Sequence, residues 1–152
     1  MFFSIVALAV AAVGQTVFAN PLSTRVTTNV GSSFPKSELN VELVAPHSNI
    51  TLGHNGLHPD ATQATFPADL LLCFDSLCSS CEVFDLSTVP LSTCEIEFFF
   101  NSVAISQPSG SGLPFAVFIT PPNLCATGAQ VPIVNTCFSV TPNSFDDFIL
   151  EL

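Results

Sequence analysis

Cys73, Cys78, Cys81, Cys94, Cys125 and Cys137 are the residues of this chain best suited to chemistry, and their number is even. A thiol can serve as a nucleophile, as a metal ligand or as half of a disulfide. Cys78-Ser79-Ser80-Cys81 has the spacing of a redox dithiol, but that motif works at a helix N-terminus after a strand in a βαβ setting, and no such pattern surrounds it. Three disulfides formed in an oxidising compartment are the economical reading, and six Cys permit fifteen pairings.

His47, His54 and His58, together with Asp60, make the cluster with metal-ligating side chains. His54 and His58 would share one face of a helix, yet Asn55-Gly56 and Pro59 break any helix there. We therefore expect unrelated loop histidines and no metal site. Glu95 and Glu97 lie on one face of a strand about 7 Å apart, within the range where paired carboxylates cleave glycosidic bonds. A solvated strand face explains them as well, and the chain has no Trp or Tyr to serve as a sugar platform. G-x-S-x-G, H-E-x-x-H and phosphate-binding glycine loops are absent, so no catalytic residue and no cofactor is expected. Asn49-Ile50-Thr51 is an N-glycosylation acceptor between two strand signals. Asn135-Thr136-Cys137 is the rarer Cys form and is disfavoured if Cys137 is bridged.

These residues sit in a chain of 152 residues and 16.0 kDa, enough for one domain. Its start, MFFSIVALAVAAVGQTVFA, is an apolar run ending in Val17-Phe18-Ala19, the pattern of a signal peptide over residues 1–19. The apolar run from Phe2 to Val13 is too short to span about 30 Å of hydrocarbon. Net charge is −10, and the only basic side chains are Arg25 and Lys36. Nucleic acids and anionic membranes are bound through Lys and Arg, so neither is an expected partner. Hydrophobic residues make up 48% of the chain and 15 are Phe, which supports a packed core rather than disorder.

Residues 20–36 are rich in Ser, Thr, Asn and Pro and read as a flexible leader. Within 37–68, Leu39–Leu43 and Ile50–Leu52 alternate apolar with polar and suggest a hairpin followed by a loop. The remainder, 69–152, carries strand signals at Leu70–Phe74, Glu82–Leu86, Cys94–Ser106, Phe115–Thr120, Gln130–Val134, Cys137–Val140 and Phe145–Leu150. In the Cys94 to Phe100 run, alternation puts Cys94, Ile96, Phe98 and Phe100 on a core face and both Glu outside. An apolar strand, a Cys-bearing turn, a second strand, another Cys and a Phe-containing strand occur in that order twice, over 70–106 and 115–152, joined by QPSGSGLP. The repeat favours pairing Cys125 with Cys137, and Cys94 with Cys78 or Cys81.

Over Leu70 to Leu152 the two units, with their aromatic strands, Gly-containing turns and late "SFDD" or "FFNS" corners, resemble the paired Greek keys of βγ-crystallin domains. Calcium-binding members of that family carry two Asn or Asp, two variable residues and then hydroxyl ligands. The best match is Asp146-Asp147-Phe148-Ile149-Leu150-Glu151, where Leu150 stands in place of a hydroxyl, so Asp146 and Asp147 read as solvated surface. The short signal, the six Cys and the stretches SVAISQPSGSGLPFAVFITPPNLC and VPIVNTCFSV are similar to the small secreted cysteine-containing proteins of mushroom-forming fungi. Hydrophobins carry eight Cys with adjacent pairs, unlike this chain. The sequence thus predicts an all-β, disulfide-stapled Greek-key β-sandwich with an N-terminal extension. The expected role is that of a secreted binding, effector-type or cell-wall-associated protein with a protein or cell-wall ligand. The alternative is a small secreted hydrolase or hydrolase inhibitor.

Overall fold

The computed structural model describes residues 27–46, 67–140 and 144–152. The expectations for the signal segment, for the strand at Ile50–Leu52, for Asn49 and for His47, His54, His58 and Asp60 lie outside the described residues. The elements are a 3-10 turn, η1 (Val30–Ser33), then β1 (Lys36–Glu38), β2 (Asp69–Cys73), β3 (Cys81–Asp85), β4 (Glu95–Phe100), β5 (Ser102–Ser106), β6 (Ala116–Thr120), β7 (Ala129–Gln130), β8 (Cys137–Ser139) and β9 (Phe145–Glu151). None of the described helical segments is long and apolar enough to cross a membrane.

The strands form two sheets, one ordered β1-β8-β5-β2-β3 and the other β4-β9-β6-β7. All pairings are antiparallel except β1 with β8. One apolar core draws on both sheets: Leu70, Leu72, Phe84, Val103, Ile105 and Phe138 from the first, and Phe100, Val117, Ile119, Phe148 and Leu150 from the second. Phe84 of β3 meets Phe148 of β9 with ring centroids 5.5 Å apart, so the large side chains of the two sheets interdigitate. In β2 and β6 every second residue enters this core, and the intervening residues, apart from half-buried Asp69, are buried as well. That double burial explains why DLLLC and AVFIT are nearly continuous apolar runs instead of alternating ones.

The outer face of the first sheet is covered by the chain's own N-terminal segment. Leu71, Cys73, Cys78, Cys81, Ala104 and Cys137 form a second apolar cluster there, with Phe34 packed against it. Thr28 bridges Cys81, and the Cys137 N–H donates to the Pro35 carbonyl. Gly31 permits this approach, because a Cβ at that position would lie 2.8 Å from the Cys78 Cβ. The second half of the segment read as a flexible leader is therefore a fixed cover. The strand at this point is Lys36–Glu38, ahead of the expected Leu39–Leu43, since it is the pairing with β8 that defines it.

The two sequence units do not keep their strands to themselves. β4 of the first pairs with β9 of the second, and β5 with β8. The disulfides follow the same interleaving: Cys73–Cys81, Cys78–Cys137 and Cys94–Cys125. The expected Cys125–Cys137 bridge is thus corrected, as is the pairing of Cys94 within its own unit. Proximity along the chain misled, because strand exchange brings Cys78 against β8 and Cys94 against the β6–β7 loop.

Candidate functional site

The structure brings chemistry-bearing residues together at two places. The first is a rim where the β2–β3 turn meets β4. Asp75 organises the turn: its Oδ1 accepts the N–H groups of Leu77 (2.7 Å) and Ser79 (3.1 Å), and its Oδ2 accepts the Ser79 hydroxyl (2.8 Å). Burial pushes this carboxyl up, but the hydrogen bonds from Ser79 and Leu77 outweigh it and hold the group below its ordinary value. Ser102 Oγ accepts the Cys78 N–H and donates to the Asp75 carbonyl, tying the turn to β5. Asn101 Nδ2 donates to the Phe74 carbonyl at 2.6 Å, which brings the β4–β5 corner alongside.

So fixed, Phe74 stacks on Phe98 of β4 with ring centroids 4.6 Å apart. Phe74 remains 46% exposed, Leu77 57% and Phe99 63%. β4 is an edge strand, and its pairing with β9 shifts register between Ile96 and Phe100. The irregularity breaks the expected alternation: Phe98 and Phe100 reach the core side, whereas Ile96 is 64% exposed. Glu95 and Glu97 flank Ile96 and are half-buried, not the open carboxylate face that alternation predicts. Phe74 and Leu77 are thus held in solvent on a turn braced by hydrogen bonds.

The second place is the outer face of the four-stranded sheet. The Cys94–Cys125 bridge runs from the entry to β4 over to the β6–β7 loop, and β9 lies between those strands. On β9, Asp147 is the cross-strand partner of both Ile96 and Thr120. A carboxylate oxygen of Asp147 and the two bridge sulfurs all lie within 4.8 Å of one another. Asp147 is only 2% exposed, and its Oδ1 has no hydrogen-bond partner. Burial and the neighbouring Asp146 push its carboxyl up, against a hydrogen bond from the Leu124 N–H. The expectation of a solvated Asp147 is corrected: the Cys94–Cys125 bridge, Ala116, Phe118 and Ile149 enclose this face, while Asp146 is half-buried. Leu124 and Cys125 are both left-handed, at φ 57° and 58°, a conformation that costs a non-glycine residue energy.

Cys94, Cys125 and Asp147 are the group of described residues with metal-ligand proximity, but both sulfurs are committed to the disulfide. No described Cys is free, as the even count predicts. Asn135, in the disfavoured glycosylation sequence, instead clamps the β5 exit: its Oδ1 accepts the Gln107 N–H and its Nδ2 donates to the Gln107 carbonyl. Sequence reasoning missed the Phe74–Phe98 stack and the enclosure of Asp147, both of which depend on a register shift or a bridge that no local pattern encodes. The chain matches no protein-family model, and no curated protein or solved structure shows significant similarity to it.

Proposed function

We propose that this is a secreted, non-enzymatic binding protein whose rim at Phe74, Leu77, Phe98 and Phe99 docks on a basic protein surface. The observation that carries the reading is the braced Phe74–Phe98 stack, with Phe74 46% exposed and Phe99, the residue after Phe98 along β4, 63% exposed. Charge favours a basic partner: the chain is −10 overall, Asp75 adjoins Phe74 and Glu97 adjoins Phe98. The described cation, Lys36, donates to the carbonyls of Ser32 and Leu77. Three disulfides fit an oxidising, extracellular setting, and facing sheets with interleaved strands support a Greek-key sandwich.

The test sets the intact secreted chain against three immobilised probes: a purified basic extracellular protein fraction, insoluble chitin and insoluble β-glucan. Retention on the basic proteins that weakens with salt and is lost in Phe99→Ser is the expected result. Retention on either polysaccharide, or binding indifferent to Phe99→Ser, rejects the reading. Bond cleavage in either polymer would favour the hydrolase.

A further inference from the structure

We propose that the Cys94–Cys125 bridge is a thiol-reactive site, opened by a small peptide thiol that forms a mixed disulfide with Cys94 and frees Cys125. Access singles out this bridge. Cys73, Cys78, Cys81 and Cys137 are at most 1% exposed, and N-terminal residues cover their cluster. Cys94 is half-buried at the entry to edge strand β4, so an incoming thiolate meets its sulfur first.

The step is an exchange with no net oxidation. The thiolate's electron pair forms the new bond to Cys94 Sγ, and the pair of the Cys94–Cys125 bond leaves with Cys125. That sulfur would be left as an anion among Ala116, Phe118 and Ile149, where burial disfavours charge. Asp147 resolves this, because its carboxyl lies within 4.8 Å of both sulfurs and its unpartnered Oδ1 is enclosed with them. A carboxylic acid, even one held above its ordinary value, is a stronger acid than a buried thiol, so the protonated form of Asp147 passes its proton to Cys125. In the reverse direction the carboxylate takes that proton back as the bridge recloses.

Burial, with the neighbouring Asp146 adding to it, makes Asp147 hold its proton more tightly than an exposed aspartate does. Asp146 precedes it on β9, and on β4 Glu95 adjoins its cross-strand partner Ile96. β6 and the loop from Pro121 to Gly128 contribute no charged side chain.

Glutathione is the probe, applied to the intact secreted chain under non-denaturing conditions. Peptides from a protease cutting at acidic or aromatic residues are then mapped by mass. One glutathionyl group on Cys94, a free thiol at Cys125 and two intact bridges are expected. The rate per glutathione thiolate should fall as pH rises through the titration of Asp147. Asp147→Asn should abolish that fall while keeping all three bridges. Reaction first at any other Cys, no adduct, or an unchanged pH profile in the variant overturns the proposal. Should Asp147→Asn fail to fold, the adduct map and pH profile of the unmodified chain decide alone.

Discussion

Cys78, in the turn after β2, is bridged to Cys137 at the start of β8, a partner 59 positions further along the chain. Cys73 and Cys81 instead face each other across β2 and β3 and close a separation of 8. If disulfides act mainly by restricting the unfolded chain, the long closure stabilises by about 4 kcal/mol and the short one by about 2.5 kcal/mol. Replacing Cys78 and Cys137 together with Ser should therefore cost more stability than replacing Cys73 and Cys81. Urea unfolding of the two double variants checks this, and the reverse order would contradict it.

Two carboxyls, buried Asp147 and half-buried Asp69, give the fold an acid preference. Burial raises Asp147, with Asp146 adding to the effect. Burial likewise raises Asp69, which faces Asp85 directly across β2 and β3. A raised folded-state value means that the native state holds the proton more tightly than the unfolded chain does. The resulting stability is complete below the unfolded carboxyl's titration and is lost as pH rises through the folded one. Asp147→Asn should thus be more stable than the parent at neutral pH, because the amide carries no charge into the buried site. In acid that advantage should vanish, and thermal melts from pH 3 to pH 8 read both ends.

Strands were the most legible feature of the sequence, because Val, Ile, Leu and Phe runs cut by Pro and Gly encode local extension. β2, β3, β6, β8 and β9 each fall on an expected run, whereas the single run expected over Cys94–Ser106 divides at Asn101 into β4 and β5 of different sheets. Pairing was not legible. Nothing local in Cys125 or Cys137 says that the first joins Cys94 and the second Cys78, since strand exchange between units decides it. Nor does EIEFFF announce its register shift: the alternation is regular on paper, and β4 departs from it against β9. Asp147 read as surface because an acidic pair usually is, and its enclosure follows from the bridge passing over β9.

Asp75 has the opposite pH character to Asp147. Its hydrogen bonds from Ser79 and Leu77 exist for the ionised carboxylate and hold it low. The stability it contributes is present above the unfolded value and lost as pH falls through the folded one. Asp75→Asn keeps one accepting oxygen and should cost about 1 kcal/mol at neutral pH, with no cost once the parent's carboxyl is protonated. The same change should loosen Phe74, so weaker binding of the basic protein probe should accompany a small stability loss. Urea midpoints at neutral and acid pH, taken beside the binding assay, give both readouts.

Gly31 is the point of closest approach between the N-terminal cover and the disulfide cluster. A methyl group there would meet the Cys78 Cβ at 2.8 Å, the Cys78 carbonyl at 3.0 Å and Leu71 Cδ1 at 3.3 Å. Leu71 could shift, but Cys78 is held by its bridge to Cys137 and by the bond from its N–H to Ser102 Oγ. The strain must fall on η1, lifting the segment from Thr28 to Phe34 off Leu71 and Ala104. Overpacking of this kind costs about 1 to 3 kcal/mol. Gly31→Ala should therefore lower the unfolding midpoint and speed hydrogen exchange at the Thr28 and Cys81 N–H groups, which bond across this contact. Exchange at β6 and β9, on the other sheet, should slow or quicken only in step with global stability. Loss of protection there ahead of Thr28 would mean that the N-terminal cover is not what Gly31 seats.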